Sequence, residues 1–377
     1  MNRTANHETP NMNQQAYRRL ISGRSTGYAA AILRFFLTIA SQIYTMVVRL
    51  RNFLYSKRWL KVHTAGVPAI SIGNITVGGT GKTPLVIWLC KFLQNKNIPC
   101  AILTRGYKTH AENQVSSIEH RASRTDEPAI LTKSCQEAKI IVNPNRVAGA
   151  AKAVNDFDAK VLIMDDGFQH RRLHRDLDIV AIDATYPFGY GKILPAGLLR
   201  EPVTSLNRSD AVVITRCDQI DEGQLAQLED KLLRVNPDMV IAKSIHKPTW
   251  AKSVNGEEIS LDNLKGKKIF AFCGIGNPDA FFSTIKGLGA NLIGSKVYND
   301  HHHYTDDCLG DIYEQAQYLN SDLILTTQKD WTKIASLASI KNDMPFAYLA
   351  IELKFTDRED KLRRLIEDAL EGKITQK

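Results

Sequence analysis

The sequence predicts an α/β fold with a mainly parallel sheet, on the basis of two observations. From residue 67 onward, short runs of apolar, β-branched residues alternate with segments of helical periodicity. In addition, a glycine-rich loop lies between one of these strand-like runs and a predicted helix. Ligands of such folds bind at the carboxyl ends of the strands, so the functional site is expected at that edge of the sheet.

The predicted elements fall into two series, and a chain of 377 residues is long enough to form two domains with separate cores. In the first series the predicted elements are strands at residues 67–72, 100–104, 139–142, 160–164, 177–182 and 211–215 and a helix at 222–235. In the second series they are strands at 268–272, 322–326 and 346–351 and helices at 279–286, at 331–337 and from 357 onward.

A polar stretch separates the two series. It contains Pro248 and two glycines, which predicts a linker over residues 244–266. We therefore expect a first domain over residues 61–243 and a smaller second α/β domain over residues 267–377, with a cleft between them.

Residues 71–84 read SIGNITVGGTGKTP and are close to a phosphate-binding loop. The pattern is G-x-x-x-x-G-K-[ST]; Gly81, Lys82 and Thr83 fill its last three places, whereas Thr76 stands in the place of the first glycine. A glycine-rich turn with an incidental Lys-Thr is the alternative, but the flanking strand and helix favour a nucleotide site. The residues expected to hold the phosphates are Gly78, Gly79, Thr80, Gly81, Lys82 and Thr83.

The second motif is VLIMDDGFQHRRL, an apolar strand that ends at Asp165, Asp166 and Gly167. A carboxylate at the end of the strand beside a P-loop strand can hold Mg²⁺ or its water, and the Thr83 hydroxyl is a further magnesium ligand. A turn-forming Asp-Asp-Gly is the alternative. Its combination with the glycine-rich loop favours a metal site.

Composition limits the class of protein and its partners. The formal net charge of +9 indicates an anionic partner, whether nucleotide, nucleic acid or an anionic membrane surface. Nucleic-acid binding has no supporting motif or interleaving of aromatic and basic residues. The absence of a CxxC pair predicts buried thiols in a reducing compartment rather than disulfides or a zinc site. The six cysteines are Cys90, Cys100, Cys135, Cys217, Cys273 and Cys308.

The N-terminus combines a polar segment with an amphipathic helix. Residues 1–26 are rich in Asn, Gln, Ser and Arg and are predicted to be disordered, whereas residues 27–60 are predicted to form a membrane-associated helix. Its longest uncharged run, Phe35 to Val48, has 14 residues, fewer than the ~20 that span a bilayer. We therefore expect the helix to lie in the interface of an anionic membrane; docking on the protein's own core is the alternative, and a membrane-spanning helix is a less favoured one. A narrow polar stripe comprises Arg34, Thr38, Ser41, Gln42, Thr45, Arg49 and Asn52.

Three further stretches carry candidate chemistry: SRTDEPAI, ILPAGLLREP and VYNDHHHYTD. Consecutive histidines diverge on a strand or helix, so His301, His302 and His303 are a poor tridentate metal site. An Asp-His pair in a polar loop can instead orient or carry a proton. Histidines in loops are also often simple surface residues.

Together these motifs resemble the tetraacyldisaccharide 4′-kinase family of lipid A biosynthesis. The resemblance is carried, in order, by SIGNITVGGTGKTP, LTRGY (103–107), DEP (126–128), MDDGFQHRRL, LPAGLLREP and NDHHHYT, and covers about residues 30–340. The family's own loop commonly lacks the first glycine. On this resemblance, Thr76 is a family trait and not the sign of a broken site.

The resemblance implies a P-loop kinase with a smaller C-terminal domain and an N-terminal membrane helix. It implies transfer of the γ-phosphate of ATP, with Mg²⁺, to the 4′-hydroxyl of a tetraacylated glucosamine disaccharide. The expected location is the cytoplasmic face of a Gram-negative inner membrane, and we expect a monomer. If a catalytic residue comes from the second domain, closing the cleft would assemble the site and exclude water.

The resemblance also assigns residue roles. Lys82 and Thr83 would bind the phosphates and magnesium, and Asp165 and Asp166 would be acids on the metal side. Asp126 resembles the family's catalytic carboxylate, which takes the proton of the sugar hydroxyl, and His301 resembles its partner. Glu127 would be a second carboxylate near the metal. Arg146 and Arg200 resemble arginines near the phosphates.

Two other nucleotide-binding classes fit less well. A membrane-associated ATPase switch often has an additional lysine directly before the Gly-Gly of the loop, where this sequence has Val77. A GTPase is suggested by Thr215, Arg216, Cys217 and Asp218 after a predicted strand, but two positions depart from the N-K-x-D motif.

Overall fold

The strands form one continuous sheet of thirteen strands within the described residues. Helices connect the strands or pack on the sheet. The computed structural model describes residues 14–106, 114–116, 126–300, 302–335, 337 and 344–373. The strands are β1 (Ala69–Gly73), β2 (Cys100–Thr104), β3 (Gln114–Ser116), β4 (Lys139–Val142), β5 (Val161–Asp165), β6 (Leu177–Asp183), β7 (Ala211–Thr215), β8 (Val240–Ser253), β9 (Glu258–Ile259), β10 (Lys268–Cys273), β11 (Asn291–Val297), β12 (Leu323–Thr327) and β13 (Phe346–Asp357).

The helices connect successive strands or flank the sheet. They are α1 (Gln14–Ile21), α2 (Tyr28–Ser56), α3 (Lys82–Gln94), α4 (Asp126–Ser134), α5 (Arg146–Phe157), α6 (Glu222–Val235), α7 (Pro278–Gly287), α8 (Asp306–Tyr318), α9 (Gln328–Ile334) and α10 (Glu359–Leu370). The strand order is β11-β10-β12-β13-β8-β7-β6-β1-β5-β2-β4-β3, and β9 pairs with β8. Most neighbours are parallel, which confirms the predicted α/β fold.

The centre of the sheet is built by strands that are buried along their whole length. β1, β2, β5, β6 and β7 have no exposed residue because helices cover both faces, as is usual for parallel strands. β1 pairs in parallel with β5 on one side and β6 on the other. The loop that follows β1 therefore lies between the carboxyl ends of two neighbouring strands.

The linker predicted over residues 244–266 is wrong for residues 244–253, which belong to β8. This strand pairs in parallel with β7 and in antiparallel with β13, so it joins the two halves of the sheet. Pro248 is compatible with the ladder because it lies where the β8–β13 register shifts. The antiparallel partner comes from much later in the chain, so local sequence gave no sign of it.

The terminal helix α10 departs from the predicted domain boundary. Leu362 and Ile366 of α10 pack in the same apolar cluster as Leu85 and Leu89 of α3. The Trp88 indole N–H also donates to Glu359 over 3.2 Å. The end of the chain thus packs on the first half of the molecule, and not with the second series of elements.

The prediction of a disordered N-terminus is wrong for residues 14–21, which form α1; residues 1–13 lie outside the described part of the chain. A helix this short is marginal by itself, so tertiary contacts must stabilise it. Leu20 and Ile21 are buried. The Tyr17 hydroxyl donates to the Pro195 carbonyl over 2.7 Å, and the Arg18 guanidinium donates to the Gly276 carbonyl over 2.7 Å.

Helix α2 forms close to the predicted bounds and packs against the protein along a side that contains Ser41, Val48 and Asn52. Ser41 and Val48 are its buried residues. Its apolar residues are mostly exposed, for example Phe36 at 60% and Met46 at 68%. By length and composition it is apolar enough to cross a membrane. The exposed apolar residues of the helix are Ile32, Leu33, Phe35, Phe36, Ile39, Ile43, Met46, Val47, Leu50 and Phe53.

Candidate active site

The glycine-rich loop leads from β1 into α3 and has the form of an anion-binding loop. The buried Asn74 amide donates to the Thr80 hydroxyl over 3.1 Å, and the Thr215 hydroxyl donates to the Thr80 carbonyl over 3.0 Å. Gly81 precedes α3 with φ +87°, and a Cβ there would lie 2.7 Å from the Nε2 atom of His246. Only glycine is suited to this position. The N-terminus of α3 therefore faces the loop, as phosphate binding requires.

Thr76, in the place of the first glycine, is accommodated by pairing with the LPAGLLREP segment. Thr76 is buried and forms an isolated antiparallel bridge with Leu199. On either side, the Val77 amide donates to the Leu198 carbonyl and the Arg200 amide donates to the Ile75 carbonyl, both over 2.7 Å. The loop entrance is thus extended backbone held by a neighbouring segment, and no glycine is needed there.

Asp166 lies directly in front of the P-loop lysine. β5 pairs with β1 so that Asp165 is opposite Ile72. The Asp166 carboxylate is 3.2 Å from Lys82 Nζ and 2.8 Å from Arg200 Nη1. Burial opposes ionisation of this carboxyl, but Lys82 and Arg200 outweigh it and lower its pKa below the ordinary range. Asp166 is therefore a carboxylate held between two cations.

Asp165 and Arg146 lie deeper than Asp166. Asp165 is buried, and the Thr104 hydroxyl is 3.5 Å from its carboxylate. The buried Arg146 guanidinium donates to the Asp165 carbonyl over 2.8 Å and also to the Leu103 carbonyl. Burial lowers the pKa of Arg146, and the nearby Asp165 and Asp166 partly offset this effect. Arg146 thus ties together the carboxyl ends of β2 and β5 at the base of the site.

These residues line one cavity of about 1910 Å³ between the two halves of the sheet. The P-loop, Asp165, Asp166 and Arg200 line it from the first half, and residues such as Asn277 and Lys329 line it from the second. Tyr44 and Arg51 of α2 also border it. The cavity therefore connects the phosphate-binding loop with the exposed N-terminal helix.

Asp300 and Tyr304, which precede and follow position 301 in the sequence, contact other residues of the second half of the chain. Lys329 Nζ is 3.2 Å from the Asp300 carboxylate, and the Tyr304 hydroxyl donates to the fully buried Asp330 over 3.1 Å. His301 itself lies outside the described residues. The side chains of Asp126 and Glu127, at the start of α4, also lie outside the description. The roles expected of these three residues stay predictions.

The remaining histidines of this stretch do not form a metal site with other side chains. His302 stacks on Tyr298 at 4.5 Å between ring centroids, and its Nε2 atom is 3.5 Å from the Cys308 sulfur. Over the described part of the chain, no three His, Cys, Asp or Glu side chains converge as metal ligands. Mg²⁺ needs no such cage, since it commonly binds one or two carboxylates together with substrate phosphates.

Gln169, His170 and His246 are among the polar side chains of the cavity that were not predicted from the sequence. The Gln169 amide donates to the Asn74 carbonyl over 2.8 Å. Within the described residues, the buried atoms Gln169 Oε1, His170 Nδ1 and His246 Nε2 have no hydrogen-bond partner. Gln169 and His170 directly follow the Asp-Asp-Gly turn and could have been found from that position. His246 fell in the predicted linker and gave no signal.

Stability is expected to fall in mild acid because His170 and His246 are held neutral. Burial, and then Arg146, lower the pKa of His170 from 6.5 to about 4, and burial and Arg216 keep that of His246 well below 6.5. Below pH ~6.5 the unfolded chain binds more protons than the folded one. The free energy of unfolding should therefore fall as the pH is lowered, by at most about 1.4 kcal/mol per pH unit for each histidine that is protonated in the unfolded chain but not in the folded one.

Chemical denaturation at pH 7.0, 6.0 and 5.0 measures this effect. His170→Gln should make the pH dependence shallower, whereas His303→Gln, which alters an exposed side chain, should reproduce the wild-type slope. Equal slopes for all three proteins would show that His170 does not contribute to acid sensitivity.

The fold and the site together define the class of this protein. A glycine-rich loop between a central parallel strand and a helix, followed by a lysine that faces a carboxylate at the end of the neighbouring strand, is the arrangement of P-loop phosphotransferases. The chain belongs to the tetraacyldisaccharide-1-P 4′-kinase family, whose model matches residues 33–371. This confirms the family resemblance found in the sequence motifs.

Individual relatives give the same result. A tetraacyldisaccharide 4′-kinase of Halothermothrix orenii is 36% identical over 322 residues, which cover 81% of this chain and 84% of that protein. Another, of Syntrophus aciditrophicus, is 36% identical over 335 residues, 84% of this chain and 88% of that protein. A crystal structure of LpxK from Aquifex aeolicus in complex with ATP has a TM-score of 0.67 and 29% identity, and the match covers 90% of this chain and 99% of that one.

Proposed function

We propose that the protein transfers the γ-phosphoryl group of ATP to the 4′-hydroxyl of a tetraacylated glucosamine disaccharide 1-phosphate, giving the bisphosphorylated lipid A precursor. The family gives the reaction, and the observation in this chain that carries the proposal is the position of Asp166 between Lys82 and Arg200, directly in front of the P-loop. Two cations and a carboxylate are thereby collected where the phosphates of a bound nucleotide would lie.

The site suits phosphoryl transfer, which depends mostly on positioning and charge neutralisation. Lys82 and the loop amides would bind the β- and γ-phosphates, with Arg200 close to them. Asp165, Asp166 and the Thr83 hydroxyl are hard oxygen donors that fit Mg²⁺, and Glu127 is a further candidate. When bound, Mg²⁺ would supply charge neutralisation on the phosphates.

The acceptor hydroxyl needs a group that takes its proton. We assign this role to Asp126, with His301 as its partner. Asp300 and Tyr304, on either side of His301, are held by ion-pair and hydrogen-bond contacts with Lys329 and Asp330. These contacts of the neighbouring residues support the assignment, because the rate of proton transfer depends steeply on geometry.

The direct test is transfer of ³²P from γ-labelled ATP to the tetraacyl disaccharide 1-phosphate in detergent micelles with Mg²⁺. Labelled lipid should appear with the purified protein and depend on both substrates. Labelled inorganic phosphate without labelled lipid would contradict the proposed function and indicate an ATPase.

We also propose a location on the cytoplasmic side of the inner membrane, and the exposed apolar face of α2 supports the contact with a membrane surface. Ser41, Tyr44 and Asn52 bond to the body of the protein, so the apolar side chains point away from it. Such a face, flanked by arginines and lysines, fits the interface of an anionic bilayer. The same helix borders the cavity, which supports binding of the acceptor lipid with its acyl chains beside the membrane.

Charged substitutions on this face are expected to weaken membrane binding without impairing ATP binding. Phe36→Asp and Met46→Asp should each lower the partition onto anionic vesicles by about tenfold or more, because the favourable burial of a large apolar side chain in the membrane interface is lost. The KM for the lipid acceptor should rise accordingly, and the KM for ATP should stay within about twofold.

Sedimentation with vesicles measures the partition, and Tyr318→Asp serves as the matched control. Tyr318 is 86% exposed but is the last residue of α8 and does not belong to α2. If the α2 variants sediment with vesicles as wild type does, the membrane contact lies elsewhere on the protein.

A further inference from the structure

Helix α2 is hydrogen-bonded to Arg200 and Glu201, the two residues before the final proline of the LPAGLLREP motif. The Tyr44 hydroxyl donates to the Arg200 carbonyl over 3.3 Å. The Asn52 amide donates to the Glu201 carboxylate over 2.9 Å, and the Arg51 guanidinium is 3.6 Å from the same carboxylate. A helix with an exposed apolar face is thus attached directly to the segment that carries Arg200.

Glu201 is the centre of this attachment and is completely buried, with 0% of its surface exposed. Besides its contacts with α2 it pairs with Arg208 at 2.9 Å. Burial by itself would raise the pKa of Glu201, but Arg208, Asn52 and Arg51 lower it, so the residue is a buried carboxylate. A buried charge is costly unless its partners stay in place, so Glu201 requires α2 to be seated.

The position of Glu201 determines that of Arg200, because the two are adjacent in a segment held at both ends. The Arg200 amide donates to the Ile75 carbonyl at the entrance of the P-loop. The Arg200 guanidinium reaches Asp166 with contacts of 2.8 and 3.0 Å. A shift of the backbone at Glu201 would therefore move the guanidinium away from Asp166 and from the phosphate-binding loop.

We propose that Asn52 and Glu201 are positioning residues that hold Arg200 against Asp166, so that the seated membrane helix forms part of the nucleotide site. Seating α2 and binding ATP are then coupled. This proposal rests on the proposed function only for the identity of the acceptor lipid. Its effect on ATP binding can be measured without any lipid. A helix that served only as an anchor would need no contact with a phosphate-site segment.

The most informative variant is Asn52→Asp. It keeps the size of the side chain but replaces the amide that donates to Glu201 with a second carboxylate. It should raise the Kd for ATP·Mg²⁺, measured by calorimetry without lipid, by about tenfold, the value of one hydrogen bond to a charged group. The kcat for lipid phosphorylation should fall by a similar factor. Adding Glu201→Gln restores a donor opposite the new carboxylate, so the double variant should recover most of both losses.

Thr38→Ala is the matched control, because the Thr38 hydroxyl lies on the same helix but donates only to the Arg34 carbonyl of its own helix over 2.8 Å. It should leave the Kd for ATP and kcat at wild-type values. Vesicle sedimentation should be the same for Asn52→Asp and wild type, because the apolar face is unaltered. Thermal unfolding of each variant shows whether the fold is retained.

Wild-type Kd for ATP in Asn52→Asp would overturn the proposal, since Arg200 would then be placed without α2. So would a double variant that regains thermal stability but not ATP affinity, because the contact between Asn52 and Glu201 would then contribute to folding alone. If the wild-type protein binds ATP but does not label the disaccharide, the proposed function fails, while the ATP comparison among the variants still decides the role of this contact.

Discussion

Replacing Lys82 by alanine is expected to lower kcat for lipid phosphorylation by about 10³-fold or more. Lys82 is the lysine of the P-loop and lies 3.2 Å from Asp166, and both residues line the cavity. Charge on the transferring phosphoryl group is stabilised by cations placed in advance, and removal of one such cation is among the most damaging single changes in this class. The variant would also leave Asp166 with Arg200 as its remaining described ion-pair partner.

The measurement is ³²P transfer under saturating ATP and lipid, with Lys96→Ala as the control. Lys96 follows α3 and pairs with Glu367 at the surface over 2.7 Å, so its loss should leave kcat within about twofold. Thermal unfolding should show both variants folded. A Lys82→Ala protein that keeps wild-type kcat would mean that the glycine-rich loop is not the phosphate site.

Alanine at Asp126 or at His301 is expected to lower kcat by roughly 10²–10⁴-fold, the usual contribution of general acid–base catalysis. The KM values for ATP and lipid should change little, because proton transfer contributes to the transition state and not to ground-state binding. If the two residues act as one unit, the double variant should be only slightly worse than the poorer single variant.

The experiment is a double-mutant cycle on kcat with both substrates saturating. Asp307→Ala provides the control, since this exposed acid at the start of α8 lies in the same region of sequence as His301. Losses that multiply fully in the double variant would exclude a joint role and leave His301 as an independent positioning group.

Local sequence was sufficient for the elements whose signals are contained in a few neighbouring residues. Strands such as Cys100–Thr104, Lys139–Val142 and Ala211–Thr215 form with the predicted bounds, because a short, continuous apolar run is buried on both faces of a parallel sheet. The P-loop and the Asp165–Asp166 pair were predictable for the same reason. Their glycines and carboxylates follow directly from the strands that position them.

Elements that depend on distant partners were not predictable in this way. β8 contains Lys247 and Pro248 and has the composition of a linker, but the long ladder with β13 makes it a strand. α1 is too short to be stable alone and is ordered by contacts with Pro195 and Gly276, more than 170 residues away in the chain.

The sequence by itself determined the α/β class, the P-loop, the paired acids and the family, because motifs and hydrophobic periodicity are properties of adjacent residues. Only the tertiary structure decided that Ser41 and Asn52 of the polar stripe of α2 face the protein whereas Gln42 and Arg49 are exposed, that Arg200 lies against Asp166, and that β8 joins the two halves of the sheet. Each of these depends on which distant surfaces meet, and that is settled by burial and pairing across the whole molecule. Periodicity can show that a helix has two faces, but it cannot tell what lies against either of them.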